Sequence, residues 1–276
     1  MLRCGRFTFP LDRPLIMGVV NVTPDSFSDG GRLQDARQAI DHALMLAEQG
    51  ADILDVGGES TRPGAAPVSI EEELQRVLPV IEALAARGLA VSADTRKPRV
   101  MKAAIEAGAV MVNDVMALRE PGAIEAVAQS DAAACLMHMQ GEPQTMQAAP
   151  HYANVLAEVS GFLAQRIAAC AAAGIRQNRL VIDPGFGFGK TLAHNLVLLK
   201  NLDRLAELGV PVLAGMSRKS MLGALTGKPV DQREYAGIAA HLAAVARGAR
   251  IVRVHDVAAM KDALQVWEAV EGAQEE

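Results

Sequence analysis

The sequence predicts an α/β protein of the (β/α)8 TIM-barrel class, formed by residues 1–276 as a single domain with a short N-terminal β-hairpin. The first observation is a repeated unit: an Ala-rich amphipathic helix, a Gly, and a short β-branched run that ends in a polar residue. Eight such units in roughly 250 residues match a closed barrel better than a doubly wound sheet. The second observation is that the short runs lack strict polar alternation, as expected of parallel strands covered on both faces. No linker, charge run or shift in composition divides the chain.

The elements follow in order from these patterns. Residues 2–9 alternate and predict a hairpin that caps the bottom of the barrel. Glycines stand between a helical pattern and the next strand at several points, where a left-handed helix C-terminus requires a residue without a Cβ. Because each strand candidate is followed by a helical pattern, right-handed βα crossovers are expected. The eight strand candidates are 15–20, 52–55, 90–94, 110–113, 133–138, 180–183, 212–214 and 251–255.

Composition excludes several classes of protein. Half of the residues are hydrophobic, which argues against disorder, and no apolar run reaches the ~18 residues of a membrane span without a charge or a Gly. A net charge of −5 argues against a nucleic-acid partner. Cys4, Cys135 and Cys170 have neither disulfide-framework nor zinc-site spacing, and residues 1–10 lack a signal-peptide core. A cytoplasmic enzyme is therefore expected, without a membrane partner.

Polar residues close nearly every predicted strand. Active sites of TIM barrels lie at the carboxyl ends of the strands, so these side chains are expected to converge on one rim. Asp and Asn also end strands as turn formers and helix caps, but eight such positions on one rim favour a functional site. The strand-end residues are Asn21, Asp55, Asp94, Asn113, His138, Asp183, Ser217, Lys219, Arg253 and His255.

Two loops on this rim carry distinctive sequences. Residues 21–31 are polar, end in Gly-Gly, and are longer than a minimal βα turn, which predicts a lid that moves. Residues 57–64 combine small side chains with Arg62, a composition suited to gripping an oxyanion. A flexible connector is the alternative reading of the second loop.

The segment 183–191 (DPGFGFGKT) looks at first like a phosphate-binding P-loop. That motif requires Gly five residues before the Gly of Gly-Lys-Thr, where this chain has Pro184. Since Pro has no N–H to offer a phosphate, the P-loop interpretation fails. The glycines are instead expected to let the backbone approach a ligand closely, with Phe186 or Phe188 as a flat wall.

Basic residues cluster after the last two strands. Residues 217–220 (SRKS) open a helix, and helix N-termini after strands seven and eight commonly bind phosphate in these barrels. Arg253 and His255 are two apart on the last strand and therefore share a face. They predict a cationic pocket, with a surface salt-bridge cluster as the alternative.

These motifs resemble one known family. The loops at 17–31 (MGVVNVTPDSFSDGG) and 55–64 (DVGGESTRPG) are similar to the two signature loops of the dihydropteroate synthases, a family of pterin-binding enzymes. Later motifs match in order at Asp94-Thr95, Asn113-Asp114, 183–190, 217–220 and 253–256. The resemblance runs from about residue 15 to the end of the chain. It implies a transferase that joins 6-hydroxymethyl-7,8-dihydropterin pyrophosphate to p-aminobenzoate, giving 7,8-dihydropteroate and pyrophosphate.

The resemblance also implies a role for each matching residue. Asn21 would help to hold Mg²⁺ on the pyrophosphate, with Asp29 as a second candidate, and loss of pyrophosphate would be dissociative. We hypothesise in addition that Asp94 stabilises the developing cation. The resemblance implies a homodimer, for which the Ala- and Leu-rich helix faces at 238–245 and 257–270 are candidate interfaces. The pyrophosphate would be bound by Thr61, Arg62, Arg253 and His255; the pterin edge by Asp94, Asn113, Asp183 and Lys219; and p-aminobenzoate by Phe27, Pro63, Phe188, Lys219 and Ser220. Of these, Asp94, Lys219, Arg253 and His255 are the candidate catalytic residues.

Other functions stay open at this point. A pterin-binding methyltransferase module would share the barrel but needs no pyrophosphate pocket, so the residues assigned to pyrophosphate argue against it. A binding protein without activity would be expected to have altered signature loops, and both are complete here. A phosphate-binding barrel isomerase would be expected to end a strand in Lys or Glu, and no Glu does so. Arg96, which departs from the family pattern, either adds charge at the rim or pairs with an acid.

Overall fold

The computed structural model describes residues 1–22, 32–60, 64, 66–142 and 145–274, and confirms the predicted barrel. Eight parallel strands close in the order β10-β3-β4-β5-β6-β7-β8-β9, beside a separate antiparallel pair β1-β2. The strands are β1 (Leu2–Cys4), β2 (Phe7–Phe9), β3 (Leu15–Asn21), β4 (Ile53–Gly57), β5 (Val91–Asp94), β6 (Met111–Asp114), β7 (Ala133–Met137), β8 (Leu180–Asp183), β9 (Val212–Ala214) and β10 (Ala249–Val254).

Helices alternate with the barrel strands and cover them. Ser69 caps α2 by accepting a hydrogen bond from the amide of Glu72, and Thr191 forms a capping box with His194 at the start of α6. The helices are α1 (Arg32–Gln49), α2 (Ile70–Ala85), α3 (Pro98–Glu106), α4 (Ala123–Ala128), α5 (Val155–Ala172), α6 (Leu192–Lys200), α7 (Asp203–Ala206), α8 (Ser220–Thr226), α9 (Glu234–Val245) and α10 (Val257–Glu271).

Each barrel strand has two buried faces, which explains its nearly continuous apolar sequence. In β4, Leu54 and Val56 pack in the core formed with the helices, whereas Ile53 packs in the core inside the barrel. Because side chains alternate along a strand, Asp55 points inward like Ile53. The inward positions thus change from apolar at the bottom of the barrel to polar at its mouth.

The N-terminal hairpin closes the bottom of the barrel, as predicted. Leu2 and Cys4 are fully buried and belong to the same cluster as Met17, Ile53 and other inward-facing residues of the lower barrel. The amide of Gly5 donates to the carbonyl of Asp131, ahead of β7. The interior of the lower barrel is therefore apolar, and the polar inward-facing residues lie at the other end.

One helix in the described part of the chain, α5, is long and apolar enough to cross a membrane by length and composition alone. Core helices of soluble proteins pass the same test. Here Val159, Leu163 and Cys170 are buried in the cluster that includes the outer faces of β7 and β8. Arg166 of this helix donates to the carbonyls of Ala117 and Leu118.

Candidate active site

The centre of the barrel mouth is a hydrogen-bonded network around Arg253. Its Nε lies 2.6 Å from Oδ2 of Asp55 and one terminal nitrogen lies 2.7 Å from Oδ2 of Asp94. Asn113 donates to the same Oδ2 of Asp55 at 2.8 Å. Three of the predicted residues are thus brought together, with Asp55 as the group that joins Arg253 to Asn113. No role was predicted for Asp55 beyond its place among the strand ends.

Glycines leave room for this network. A Cβ on Gly57 would lie 3.3 Å from Cβ of Asp94, and one on Gly215 would lie 3.6 Å from Cβ of Arg253. Asp55 is fully buried, and its Oδ1 has no hydrogen-bond partner in the described part of the chain. The glycines therefore let the network pack closely, and one carboxylate oxygen within it has no partner among the described residues.

Burial and charge act in opposite directions on these groups. Burial raises the pKa of Asp94 to about 7, although Arg253 favours its ionised form and Asp55 opposes it. Burial would lower the pKa of Arg253, but the carboxylates of Asp55 and Asp94 outweigh it and raise that pKa. Arg253 therefore stays protonated, while Asp94 changes charge near neutral pH.

A second cation, Lys219, follows β9, the strand next to β10 in the barrel. Lys219 donates to the carbonyl of Phe186 at 2.5 Å, and its Nζ lies 4.7 Å from the ring centroid of Phe188. Burial lowers the pKa of Lys219 to about 8, and the carboxylate of Asp183 opposes this shift. Burial raises the pKa of Asp183, with Lys219 acting against it. Lys219, Asp183 and Phe188 therefore form a second predicted group in one place.

The Gly-rich loop after β8 differs from its predicted role in two respects. Phe186 is fully buried and packs in the outer core, so it is not a flat wall of the site, and Phe188 alone is half-buried at the mouth. The glycines let the loop approach other backbone: a Cβ on Gly185 would lie 2.0 Å from the carbonyl oxygen of His138. One on Gly189 would lie 2.5 Å from the carbonyl oxygen of Gln140. The close approach is to the segment after β7.

Two residues in this loop region had no predicted role. Nζ of Lys190 is buried 3.0 Å from Nδ1 of His138, which follows β7 directly. Burial lowers the pKa of His138 to about 3, with a further contribution from the charge of Lys190. The imidazole is therefore neutral and accepts at Nδ1. The signal that the sequence offers for Lys190 is a Lys inside a Gly-rich segment that does not fit a P-loop.

The predicted anion pocket near the end of β10 contains acids as well as bases. His255, one residue beyond the strand, lies with its Nδ1 2.9 Å from Oγ of Ser217. Arg218 makes a 2.6 Å ion pair with Asp256 and has a left-handed backbone, with φ of +61°. Ser220 is exposed and begins the seven-residue helix α8. The pocket is therefore a mixed charge network rather than a cluster of unpaired cations.

A charge cluster fixes the start of the second signature loop. Glu59 accepts from the amide of Val68 at 3.0 Å, and its Oε2 lies 3.2 Å from Nζ of Lys97 and 3.5 Å from Nε of Arg96. Lys97 also pairs with the fully buried Glu73 at 2.5 Å. Arg96 therefore pairs with an acid, which was one of its two predicted roles.

Several predicted residues lie outside the described part of the chain. Phe27 and Asp29 of the first loop belong to this group, as do Thr61, Arg62 and Pro63 of the second. Asn21 is described: it ends β3, is half-buried, and lies in register with Gly57 of β4. No group of three or more His, Cys, Asp or Glu residues suited to a metal is found among the residues that the structure describes.

Methionines form an apolar wall beside Phe188. Met116, Met137, Met139 and Met146 are buried in one cluster against which Phe188 packs. Their long, polarisable side chains fit a flat ligand as readily as they fill a core. A cleft of about 660 Å³ at the other end of the barrel, lined by Arg176 and Arg250 among others, contains none of the predicted residues.

Fold and site together define a TIM-barrel protein with a polar, charged site at the mouth of the barrel. The family described as pterin binding enzyme matches residues 17–255 of the chain. A dihydropteroate synthase of Neisseria meningitidis serogroup C is 54% identical over 273 residues, covering 97% of this chain and 96% of the relative.

Solved structures agree. A dihydropteroate synthase of Xanthomonas albilineans with 4-aminobenzoic acid is 59% identical, with a TM-score of 0.91 and coverage of 96% of this chain and 95% of that one. Another from Burkholderia cenocepacia, complexed with 7,8-dihydropteroate, is 50% identical, with a TM-score of 0.89 and coverage of 98% and 96%. The chain belongs to the dihydropteroate synthase family of pterin-binding enzymes. The predicted family is confirmed, and the chain is a transferase.

Proposed function

We propose that the barrel mouth condenses 6-hydroxymethyl-7,8-dihydropterin pyrophosphate with p-aminobenzoate, releasing pyrophosphate and forming 7,8-dihydropteroate. The observation that carries this proposal is the convergence of Asp94, Asn113 and Arg253 through Asp55, facing Asp183 and Lys219. The relatives with 4-aminobenzoic acid and 7,8-dihydropteroate support the same substrates.

The pterin would bind edge-on to the polar network. A pterin ring presents adjacent donors and acceptors, which carboxylates and amides match with paired hydrogen bonds. Asp94, Asn113 and Asp183 supply these groups from β5, β6 and β8, and Lys219 adds a donor beside Asp183. The methionine wall would cover the face of the ring.

The chemistry requires a leaving group to depart and an amine to attack. Breaking the C–O bond leaves both electrons on the pyrophosphate oxygen and a positive charge on the pterin methylene carbon. The amine nitrogen of p-aminobenzoate then forms the C–N bond and releases a proton. Arg253 and His255, with Thr61 and Arg62, would bind the departing pyrophosphate, while the Asp94 carboxylate would stabilise the developing cation.

The p-aminobenzoate site would lie beside the ring of Phe188. Lys219, whose Nζ lies 4.7 Å from that ring centroid, would pair with the benzoate carboxylate. Ser220, the first residue of the next helix, would also line this site. Phe27 and Pro63 would complete this site from the two signature loops. The amine needs no activation by a base to attack a cation. The contribution of the site to this step would therefore be to hold the amine in line with the methylene carbon.

A Mg²⁺ ion on the pyrophosphate fits the residues present. Mg²⁺ commonly takes one or two protein oxygens and fills its remaining positions with water and substrate phosphate. The carboxamide oxygen of Asn21, at the mouth end of β3, is a suitable hard ligand, and Asp29 is a second candidate. Bound there, the ion would supply charge neutralisation to the leaving group.

The enzyme is further proposed to be a cytoplasmic homodimer. Val266 and Val270 lie four residues apart on α10 and expose 67% and 66% of their surface. Tyr235, on α9, is 82% exposed. Large apolar side chains exposed on these two helices are consistent with a subunit interface.

A direct assay tests the proposed reaction. The purified protein is incubated with pterin pyrophosphate, p-aminobenzoate and Mg²⁺, and both products are measured. We expect 7,8-dihydropteroate and pyrophosphate in equal amounts, with the rate falling when EDTA is added. A folded protein that forms neither product would overturn the proposal.

A further inference from the structure

Lys190 lies at the centre of the Gly-rich loop, and the proposed function leaves it without a task. Its ammonium is buried among four acceptors: the carbonyl oxygens of Phe188 at 2.9 Å, Gly185 at 3.0 Å and His138 at 3.3 Å, and Nδ1 of His138 at 3.0 Å. The three N–H groups of the ammonium thus donate hydrogen bonds to two segments of the chain, one after β7 and one after β8. Such a buried charge is expensive unless its hydrogen bonds are complete, and here they are.

The backbone carbonyls of this loop accept hydrogen bonds from different side chains. Those of Gly185 and Phe188 point inward to Lys190, and that of Gly189 accepts from the hydroxyl of Tyr152 at 2.8 Å. The carbonyl of Phe186, between the two that Lys190 holds, points instead to Nζ of Lys219. The two carbonyls that Lys190 binds flank the one that Lys219 binds, so the ammonium fixes the turn of backbone between them.

The same loop conformation places the ring of Phe188 against Lys219. The carbonyl of Phe188 is bound to Lys190 while its ring lies 4.7 Å from Nζ of Lys219. Gly187, with φ of +80°, leaves space there, since a Cβ on it would lie 3.3 Å from Cδ of Lys219. Both groups that hold Lys219 on this side therefore depend on the loop conformation that Lys190 stabilises.

We propose that Lys190 is a positioning residue, which fixes the Phe186 carbonyl and the Phe188 ring so that Lys219 and the benzoate-binding wall are correctly placed. The inference rests on the proposed function, since it assigns Phe188 and Lys219 to the second substrate. The four polar atoms that bind Nζ of Lys190 all belong to the protein, so the proposed role is exerted through the loop and not on a substrate directly.

The test is a double-mutant cycle between Lys190 and Phe188. Lys190→Met removes the ammonium and keeps the stem. We expect it to lower kcat/KM for p-aminobenzoate at least 10-fold, mainly through KM. In a Phe188→Ala background, the same change should cost less than 3-fold, because the ring that Lys190 positions is already absent.

Two measurements separate positioning from general destabilisation. The affinity for pterin pyrophosphate alone, measured by calorimetry, should fall several-fold less than the affinity for p-aminobenzoate. Asp94 and Asn113 hold the pterin from other strands, and Lys219 is the one pterin contact that the Lys190 loop positions. Lys200→Met, at the exposed end of α6, is the matched control and should leave all constants unchanged. If Lys190→Met does not fold, Lys190→Gln, which retains two N–H donors, is measured in its place.

The outcomes are distinct. An inactive wild-type protein would refute the proposed function itself. Two results with an active wild type would refute the positioning role alone. One is an unchanged KM for p-aminobenzoate in Lys190→Met, and the other is an equal loss of kcat/KM in the wild-type and Phe188→Ala backgrounds.

Discussion

Asp94 lies where burial and a neighbouring guanidinium act on one carboxylate in opposite directions. Burial raises its pKa to about 7, and the ion pair with Arg253 limits that rise. Its ionised form is the one that would stabilise a cation on the pterin methylene carbon. We therefore expect the residue to do more than accept hydrogen bonds from the pterin edge.

Asp94→Asn separates these two roles. The amide keeps the size and some of the hydrogen bonds but removes the negative charge. We expect kcat to fall about 100-fold, the range typical for losing one electrostatic contact to a transition state. The affinity for pterin pyrophosphate should change only a few-fold. Steady-state kinetics and calorimetry measure both, and equal losses in the two would contradict the electrostatic role.

Stability should also depend on pH through Asp94. Its folded pKa of about 7 exceeds the ordinary 3.8, so the folded protein binds more protons than the unfolded chain between these values. Stability from this group is therefore lost as pH rises from about 4 to about 7. Urea unfolding at pH 5 and pH 7.5 should show wild type losing stability relative to Asp94→Asn. A constant difference between the two proteins would show that the folded pKa is not raised.

At the level of single residues, the sequence predicted which residues belong to the site better than it predicted which of them contact one another. The strand-end rule selected Asp55, Asp94, Asn113 and Arg253 because inward-facing residues alternate along each strand. The ion pair between Arg253 and Asp55 joins residues 198 positions apart and depends on which strands lie close once the barrel closes. No local pattern contains that information. Lys190 was missed because full burial of a Lys is not a property that spacing reveals.

Among the elements, the loop after β8 is the one whose prediction changed most. Its glycines were expected to admit a ligand, yet Gly185 and Gly189 admit the backbone of residues 138 and 140. The strands and helices followed from apolar periodicity, whereas loop contacts depend on tertiary neighbours. The φ values of +68° and +62° would be strained for any residue with a Cβ.

Gly185→Ala should therefore be far more harmful than a glycine change without such contact. The new Cβ would lie 2.0 Å from the carbonyl oxygen of His138, so the loop or β7 must move. We expect a loss of more than ~3 kcal/mol in unfolding free energy, the range of severe single mutations. Gly174→Ala is the control: φ is +85° with nothing within 4 Å, so only about 1–2 kcal/mol of backbone strain is expected. Similar melting curves for the two variants would contradict this account of the loop.

At the scale of the whole molecule, the apolar interior and the charged site lie at opposite ends of the barrel. The hairpin and the apolar lower layers seal one end, and the charged network occupies the other. The predicted fold class needed only the count and spacing of βα units, which is why it was correct. The proposed dimer surface concerns outer helices, where exposure is visible only once the helices are packed.

Val266→Glu with Val270→Glu tests that surface. Two charges in place of exposed apolar side chains should weaken a subunit interface and convert dimer to monomer in light scattering. Met45→Glu on α1, where 43% of the residue is exposed, should leave the mass unchanged. A double variant with the same mass as wild-type dimer would place the interface elsewhere.

The kcat/KM of Arg253→Lys for the condensation shows whether the network around Arg253 is the catalytic site. Lysine keeps the positive charge beside Asp55 and Asp94, so folding should be retained, but one ammonium cannot reproduce the two-armed contact of the guanidinium. We predict a loss of at least about 100-fold, comparable to removal of a key transition-state contact. Arg250→Lys, exposed near the start of the same strand, should have wild-type kcat/KM. If Arg253→Lys also retained wild-type kcat/KM, the network around Arg253 would not be the catalytic site.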